Sequence, residues 1–144
     1  MTPSAMAELH AQCFTTPRPW KTDEFASLLR LPNTVLAKCR YGFALGHVAG
    51  EDAELWTIAI APDRHGKGWG TRLLNQFESQ VYDMGAECVM LEVASNNIAA
   101  HALYGRAGYR CIGQRKGYFT NLEGQRLDAH VLRKTLNTEG YRNK

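Results

Sequence analysis

Three sets of residues in this sequence have types and spacings that could do chemistry. The run RHGKGWGTRLL, Arg64 to Leu74, places Gly66, Gly68 and Gly70 just ahead of a strongly helical stretch, with Arg64 and Lys67 beside them. Where a strand passes through such a loop into a helix, unpaired backbone N–H groups and the positive helix end meet at one spot, and glycines let an anion come close. The loop reads as an anion cradle, the alternative being a sharp turn whose glycines only relieve strain. It matches neither the GxxxxGK phosphate loop nor the dinucleotide GxGxxG pattern. The second set is a single charge. Glu92 interrupts the apolar run CVMLEV, on the same face of a strand as Met90 and Ala94 and opposite Leu91 and Val93. Burial there would raise a carboxyl pKa toward the range in which it accepts a proton from an ammonium, directly or through water. An edge-strand glutamate or a structural ion pair is the alternative. In the third set Asn97, Ala100, His101 and Tyr104 stand at i, i+3, i+4 and i+7 on one helix face, where they can meet one ligand. A tyrosine hydroxyl, with a reference pKa of about 10, is protonated at neutral pH and can donate; the alternative is a core aromatic whose hydroxyl finds some partner.

These residues need elements to position them. A helix is expected from Pro3 to Phe14, with Met6, Leu9 and Cys13 at helical spacing, and the segment TTPRPW breaks it. Thr22 can cap a second helix, with Asp23 and Glu24 in its first turn and Phe25, Leu28 and Leu29 facing inward as far as Pro32. The runs TVLAKC, FALGHVAG and AELWTIAIAP then read as strands of one meander. After the glycine loop comes a helix from Trp69 to Met84, ended by Gly85, then the strand CVMLEV. A helix from Asn97 to Arg106 and two closing strands, YRCIGQRKGYF and LDAHVLRKTL, complete the order ααβββαβαββ.

The bulk properties suit one compact domain. A chain of 144 residues with 44% hydrophobic content can bury a sizeable core, and no repeat or linker divides it. We expect a domain over residues 1–137 and a loose tail over 138–144. Cys13, Cys39, Cys88 and Cys111 form no CxxC pair, and no apolar run or signal-peptide pattern is present, so a soluble protein of the cytoplasm is expected, with no membrane partner. A net charge of +3 permits an anionic ligand but falls short of a nucleic-acid footprint. His10 and Cys13 lack the second pair a metal site needs, so no metal is expected; His47, His130 and Trp56 read as structural.

Together these stretches resemble a known family. APDRHGKGWGTRLL is similar to the acetyl-coenzyme A (acetyl-CoA) loop of the GNAT N-acetyltransferases, whose pattern is Gln or Arg, two residues, Gly, any residue, then Gly or Ala. Gly68 and Gly70 match its glycines, and His65 stands where Gln or Arg is usual. NNIAAHALYGRAGYR resembles the second family signature, with Asn97, Ala100, Leu103, Tyr104 and the Gly108–Tyr109 pair in place. Within the family the chain looks most like the bacterial ribosomal-protein-alanine N-acetyltransferases, through HAQCF with PRPW, LWTIAIAPD, LEV and the late GYF and LDAHVL segments. It departs from them at Ala94, where an Arg is common.

The resemblance implies a single α/β domain with a mixed, largely antiparallel sheet flanked by helices. It also implies acetyl-CoA as co-substrate and transfer of acetyl to an amine, the α-amino group of a ribosomal protein beginning with alanine being the expected acceptor. By the same resemblance the loop from His65 through Gly66, Lys67, Gly68, Trp69, Gly70 and Thr71 binds the coenzyme, as do Asn97 and Ala100. The strand backbone from Ile58 through Ala59 to Ile60 supplies the oxyanion donor. Glu92 is implied as general base and Tyr104 as general acid, meeting the coenzyme's sulfur. Trp20 lies where the family builds part of its acceptor site, a rigid inter-helix loop being the equal alternative. Acetylation of a small-molecule amine is the first alternative function, and a non-catalytic coenzyme-binding module the second.

Overall fold

A computed structural model of the chain describes residues 1–14 and 18–136. The start of the TTPRPW break and the tail from Asn137 onward lie outside the described residues. The helices are α1 (Pro3–Cys13), α2 (Thr22–Arg30), α3 (Trp69–Asp83) and α4 (Ile98–Arg106), with a short 3-10 turn at Pro62–Arg64. The strands are β1 (Thr34–Cys39), β2 (Gly42–Ala49), β3 (Asp52–Ile60), β4 (Cys88–Ala94), β5 (Arg110–Thr120) and β6 (Arg126–Thr135). They form one six-stranded sheet in the order β1-β2-β3-β4-β6-β5, antiparallel throughout except where β3 runs parallel to β4. This is the α/β architecture and element order expected.

Helix ends follow local chemistry. Thr2 caps α1 by accepting the Ala5 N–H at 3.1 Å, and Gly85, at φ 99°, follows the last turn of α3. At α2 the expectation needs correcting, because the cap residue is Lys21 and Thr22 is already helical. The Glu24 carboxylate reaches back to the Lys21 N–H at 3.0 Å and is itself held by Arg18 at 2.8 and 3.1 Å. A glutamate three residues into the helix satisfies the cap donor by itself, so the threonine hydroxyl is not required.

The sheet is covered on both faces. Met6 and Phe25, from α1 and α2, pack with Phe43, Leu45 and Ala59; Leu73, Leu74, Phe77 and Val81 of α3 pack on the other face with Val35, Leu55, Leu91 and Val93. Gly46 allows the closest approach: a Cβ there would collide with the Glu54 carbonyl and the Phe77 ring.

The feature that matters for function is at the centre. β3 pairs with β4 only over Asp52–Leu55 against Cys88–Leu91, and beyond that the two strands diverge. On the opposite edge of β3, Leu45 pairs with Thr57 and Gly46 with Leu55, which leaves Trp56 as an extra residue, a β-bulge. A bulge bends and twists its strand, here at the residue where pairing with β4 stops.

A buried polar network supports α4 from behind. Glu78 is wholly buried, accepts the Tyr109 hydroxyl at 2.9 Å and pairs with Lys134 at 2.8 Å; the Tyr109 ring in turn meets Tyr104 edge-on, with centroids 5.6 Å apart. Removing one partner of a buried ion pair strands the other. Glu78→Ala should therefore destabilise the fold by about 3 kcal/mol, whereas Tyr109→Phe, which loses one hydrogen bond, should cost about 1 kcal/mol. Urea denaturation followed by far-UV circular dichroism checks both.

Candidate active site

The divergence of β3 and β4 opens a cavity of about 550 Å³. One wall is Leu55 to Ile58 of β3 and the other Glu92 to Ala94 of β4; Asn97, Ala100 and Tyr104 of α4 close one side, and Trp20 and Tyr118 reach it from the α1–α2 loop and β5. Six residues singled out from sequence, Trp20, Ile58, Glu92, Asn97, Ala100 and Tyr104, thus line one space. Along its β4-facing edge, β3 has no strand partner from Trp56 onward, so backbone groups there are free to bond a ligand. Ala59 and Ile60 contribute backbone only, since their side chains sit in the two cores.

The glycine loop lies between the end of β3 and α3. Gly66 and Gly68 have φ of 75° and 86°, which other residues rarely adopt, and Gly68 caps α3 with no side chain bonded over it. None of the backbone N–H groups from Gly66 through Thr71 has a protein acceptor among the described residues. A Cβ at Gly68 would stand in open space. The arrangement fits a bound anion such as the coenzyme's pyrophosphate. Gly70 differs, because its φ is not positive and a Cβ there would touch only Leu103 at 3.4 Å, so its backbone would admit an alanine. The His65 side chain turns back on the strand, Nε2–H donating to the Ile60 carbonyl at 2.6 Å. It closes the loop onto β3 from the position where Gln or Arg is usual. Arg64 lies over the Tyr41 ring at 4.2 Å, and Tyr41 meets Trp69 edge-on at 4.9 Å, which fixes the start of α3.

Helix α4 presents most of the expected face. Asn97 caps it, its Oδ1 accepting the Ala100 N–H at 3.1 Å, while its amide N–H₂ has no protein acceptor among the described residues. Tyr104 is buried, and burial pushes its hydroxyl pKa well above the usual tyrosine value, so it is a proton-bearing group at neutral pH. His101 does not join the cavity; it packs edge-on against His130 at 5.0 Å.

Glu92 stands in the cavity wall, half-buried rather than enclosed as expected. Its side chain is 23% exposed, and Oε1 lies 3.6 Å from Arg115 Nε. The helices that seal the other face cover Leu91 and Val93 instead. Oε2 is shielded from solvent without a well-formed hydrogen bond. Beside it is Tyr118, whose hydroxyl pKa is raised first by hydrogen bonding to Glu92 and then by burial and carboxylate charge.

Three contributors carry no sequence signal for this role. Tyr118 sits in a long exposed strand, and Trp56 reads as an ordinary strand aromatic until its bulge turns it into the cavity. The third is His10, which sets Trp20 from behind. Its Nδ1 accepts the Trp20 N–H at 3.0 Å, so Nε2 carries the proton and donates to Thr57 Oγ1 at 3.1 Å, with Phe14 stacked on the ring at 4.3 Å. The spacing with Cys13 that raises a metal site serves packing: the Cys13 thiol donates to the Ile60 carbonyl at 3.1 Å. Among the described residues no group of three or more His, Cys, Asp or Glu could hold a metal ion, and no helix is long and apolar enough to cross a membrane.

Two outcomes follow from this geometry. Gly68→Val forces a branched residue into positive φ and crowds the open face of the loop, so coenzyme affinity should fall at least about tenfold, whereas Gly70→Ala should stay within about threefold of wild type. Isothermal titration of folded variants with acetyl-CoA checks this. Burial, outweighing the pull of Glu24, lowers the His10 pKa to about 4. The unfolded chain binds that proton near the ordinary value of about 6.5, so stability is unaffected above that pH. It should fall by about 1 kcal/mol per pH unit between about 6.5 and 4. Urea midpoints across that window, flatter in His10→Gln than in wild type, measure it.

Comparison with known proteins agrees with the geometry. A sequence model of the acetyltransferase (GNAT) family matches residues 4–109. The N-alpha-acetyltransferase RimI of Mycobacterium tuberculosis is 33% identical over 137 residues, 89% of this chain and 83% of that protein. The ribosomal protein bS18-alanine N-acetyltransferase of Haemophilus influenzae is 34% identical over 91 residues, 63% of this chain and 62% of that protein. The crystal structure of the ribosomal-protein alanine N-acetyltransferase of Escherichia coli superposes with a TM-score of 0.79 at 26% identity, over 94% of this chain and 88% of that one. The chain belongs to the GNAT acetyltransferase family and is an acetyl-CoA-dependent N-acetyltransferase.

Proposed function

We propose that the protein acetylates the α-amino group of a protein N-terminus in the cytoplasm, a ribosomal protein beginning with alanine being the acceptor. We assign the catalytic domain to residues 1–137. The observation that carries the reading is the placement of Glu92 and Tyr104 on one cavity, a carboxylate on β4 and a buried phenol on α4, beside a loop of unpaired donors at the head of α3. The names of the relatives support the acceptor class.

Acetyl-CoA supplies the activated acetyl thioester. The loop from Gly66 to Thr71 holds its pyrophosphate through backbone N–H groups, and Asn97 and the free edge of β3 bond the pantetheine arm. Glu92 accepts the proton of the incoming ammonium, directly or through water, which frees the nitrogen lone pair to attack the thioester carbon. Backbone N–H donors between Ile58 and Ile60 meet the charge that develops on the carbonyl oxygen. As the carbon–sulfur bond breaks, Tyr104 donates to the thiolate, and the second proton that the nitrogen gives up on becoming an amide passes to solvent, from which Tyr104 is reprotonated. Because burial holds its proton tightly, much of its help is a hydrogen bond made where charge appears. Trp20 and Tyr118 border the approach of the acceptor chain.

Glu92→Gln keeps the shape and removes the proton acceptor. Turnover on an Ala-starting peptide should fall strongly at pH 7 and recover in part toward pH 9, where solvent supplies free amine; a loss equally deep across that range would make Glu92 a positioning group. Tyr104→Phe should keep coenzyme binding and lower turnover by roughly 10²–10⁴. Mass spectrometry of peptides after incubation with acetyl-CoA should show the terminal amine acetylated before an internal lysine. Acetylation of small amines with no transfer to peptides would overturn the acceptor assignment.

A further inference from the structure

We propose that Glu54 is a second carboxylate of the acceptor site, one that draws in the protonated amine and holds it beside Glu92 until its proton is removed. The inference rests on the acetyl-transfer reading above and extends it to how a charged acceptor is captured. Glu54 on β3 is in register with Met90 on β4, and Glu92 lies two residues further along the same strand. Side chains two apart share a face, so Glu54 and Glu92 are diagonal neighbours across the last paired residues before the strands diverge. Both line the acetyl-transfer cavity, and both also line an adjoining cavity of about 200 Å³, so together they form the sill between the two.

The charges around this sill are unequal. Glu92 faces Arg115, which lines the adjoining cavity, and Arg18, which lines the acetyl-transfer cavity, is occupied by Glu24. Glu54 has no ion-pair partner among the described residues. Both carboxylates act on one neighbour, the Tyr118 hydroxyl, with Glu92 the stronger and Glu54 the weaker influence. An incoming cation would fill this gap. A protonated amine carries up to three donors and can bridge two carboxylates, each bond being charge-assisted. Glu54 is exposed, so an acceptor arriving from solvent meets it before the half-buried Glu92. Once Glu92 has taken the proton the amine is neutral, its attraction to Glu54 falls, and the nitrogen is released toward the thioester.

Steady-state kinetics of Glu54→Gln test this, using whichever protonated amine the wild type acetylates. The acceptor KM should rise about tenfold while kcat stays within about threefold, and the coenzyme Kd should be unchanged. Added salt should depress kcat/KM in the wild type more than in the variant, and Glu54→Asp should restore some of the lost affinity. An unchanged KM with an unchanged salt dependence would make Glu54 a bystander. A fall in kcat as deep as that of Glu92→Gln, at constant KM, would make it the base itself and equally overturn the assignment. Failure of the functional reading is seen separately, as a wild type that transfers acetyl to no α-amine.

Discussion

The site depends on two adjacent parallel strands that stop being hydrogen-bonded. β3 and β4 are paired through Leu55 and Leu91 and separate at the next residue, at the bulge that Trp56 makes against β2. In a closed sheet these backbone groups would satisfy one another and no cavity would exist. Where the strands separate, the free edge of β3, the carboxylate of Glu92 and the face of α4 all become available to one ligand. The unpaired groups must be answered by something, so the fold is complete only with water or a bound chain in the gap.

Holding such a gap open requires stiff walls. On the α3 side, Phe77 packs where Gly46 carries no side chain, which lets helix and sheet come together directly behind the bulge. Tyr104 is backed by Tyr109, and Tyr109 by Glu78 and Lys134, so the phenol in the cavity wall is anchored through a buried polar network. Across the cavity His10 does the equivalent for Trp20, with one nitrogen on the loop and the other on β3. The loop also reaches β5, the Arg18 N–H donating to the Thr120 carbonyl at 3.1 Å, so two sides of the cavity are tied together.

Much of this is legible in the chain itself. Element order and the glycine loop can be read because Gly, Asn and Pro divide runs of clear period, and the α4 face follows from helical spacing alone. What escapes is produced by tertiary geometry. The bulge at Trp56 has no glycine or proline to announce it, since it lies within β-branched and aromatic residues that favour any strand. His10 looks like half a metal site because spacing shows that two side chains share a helix face and not what they face. The Thr22 cap fails because a competing local device, Glu24 reaching back to Lys21, is satisfied by Arg18 from the preceding loop. Glu92 reads as buried because its strand is apolar, yet the helices cover only the face of Leu91 and Val93.

That last difference bears on the chemistry. The expected base draws its power from enclosure in apolar surroundings, whereas Glu92 stands at the rim of the cavity, within 3.6 Å of an arginine. What the site supplies at this point is position: a carboxylate oxygen, shielded from solvent, facing the space where an acceptor nitrogen would sit. Position is enough for some amines and not for others. An α-amino group, with a reference pKa of about 8, is already partly uncharged near neutrality, while a lysine amine at about 10.4 is almost wholly protonated and asks far more of its base. A rim carboxylate beside an aromatic-bordered cavity would therefore meet a smaller demand from an α-amine than from a lysine, a difference that lies in the amine's own acidity before any contact with the protein.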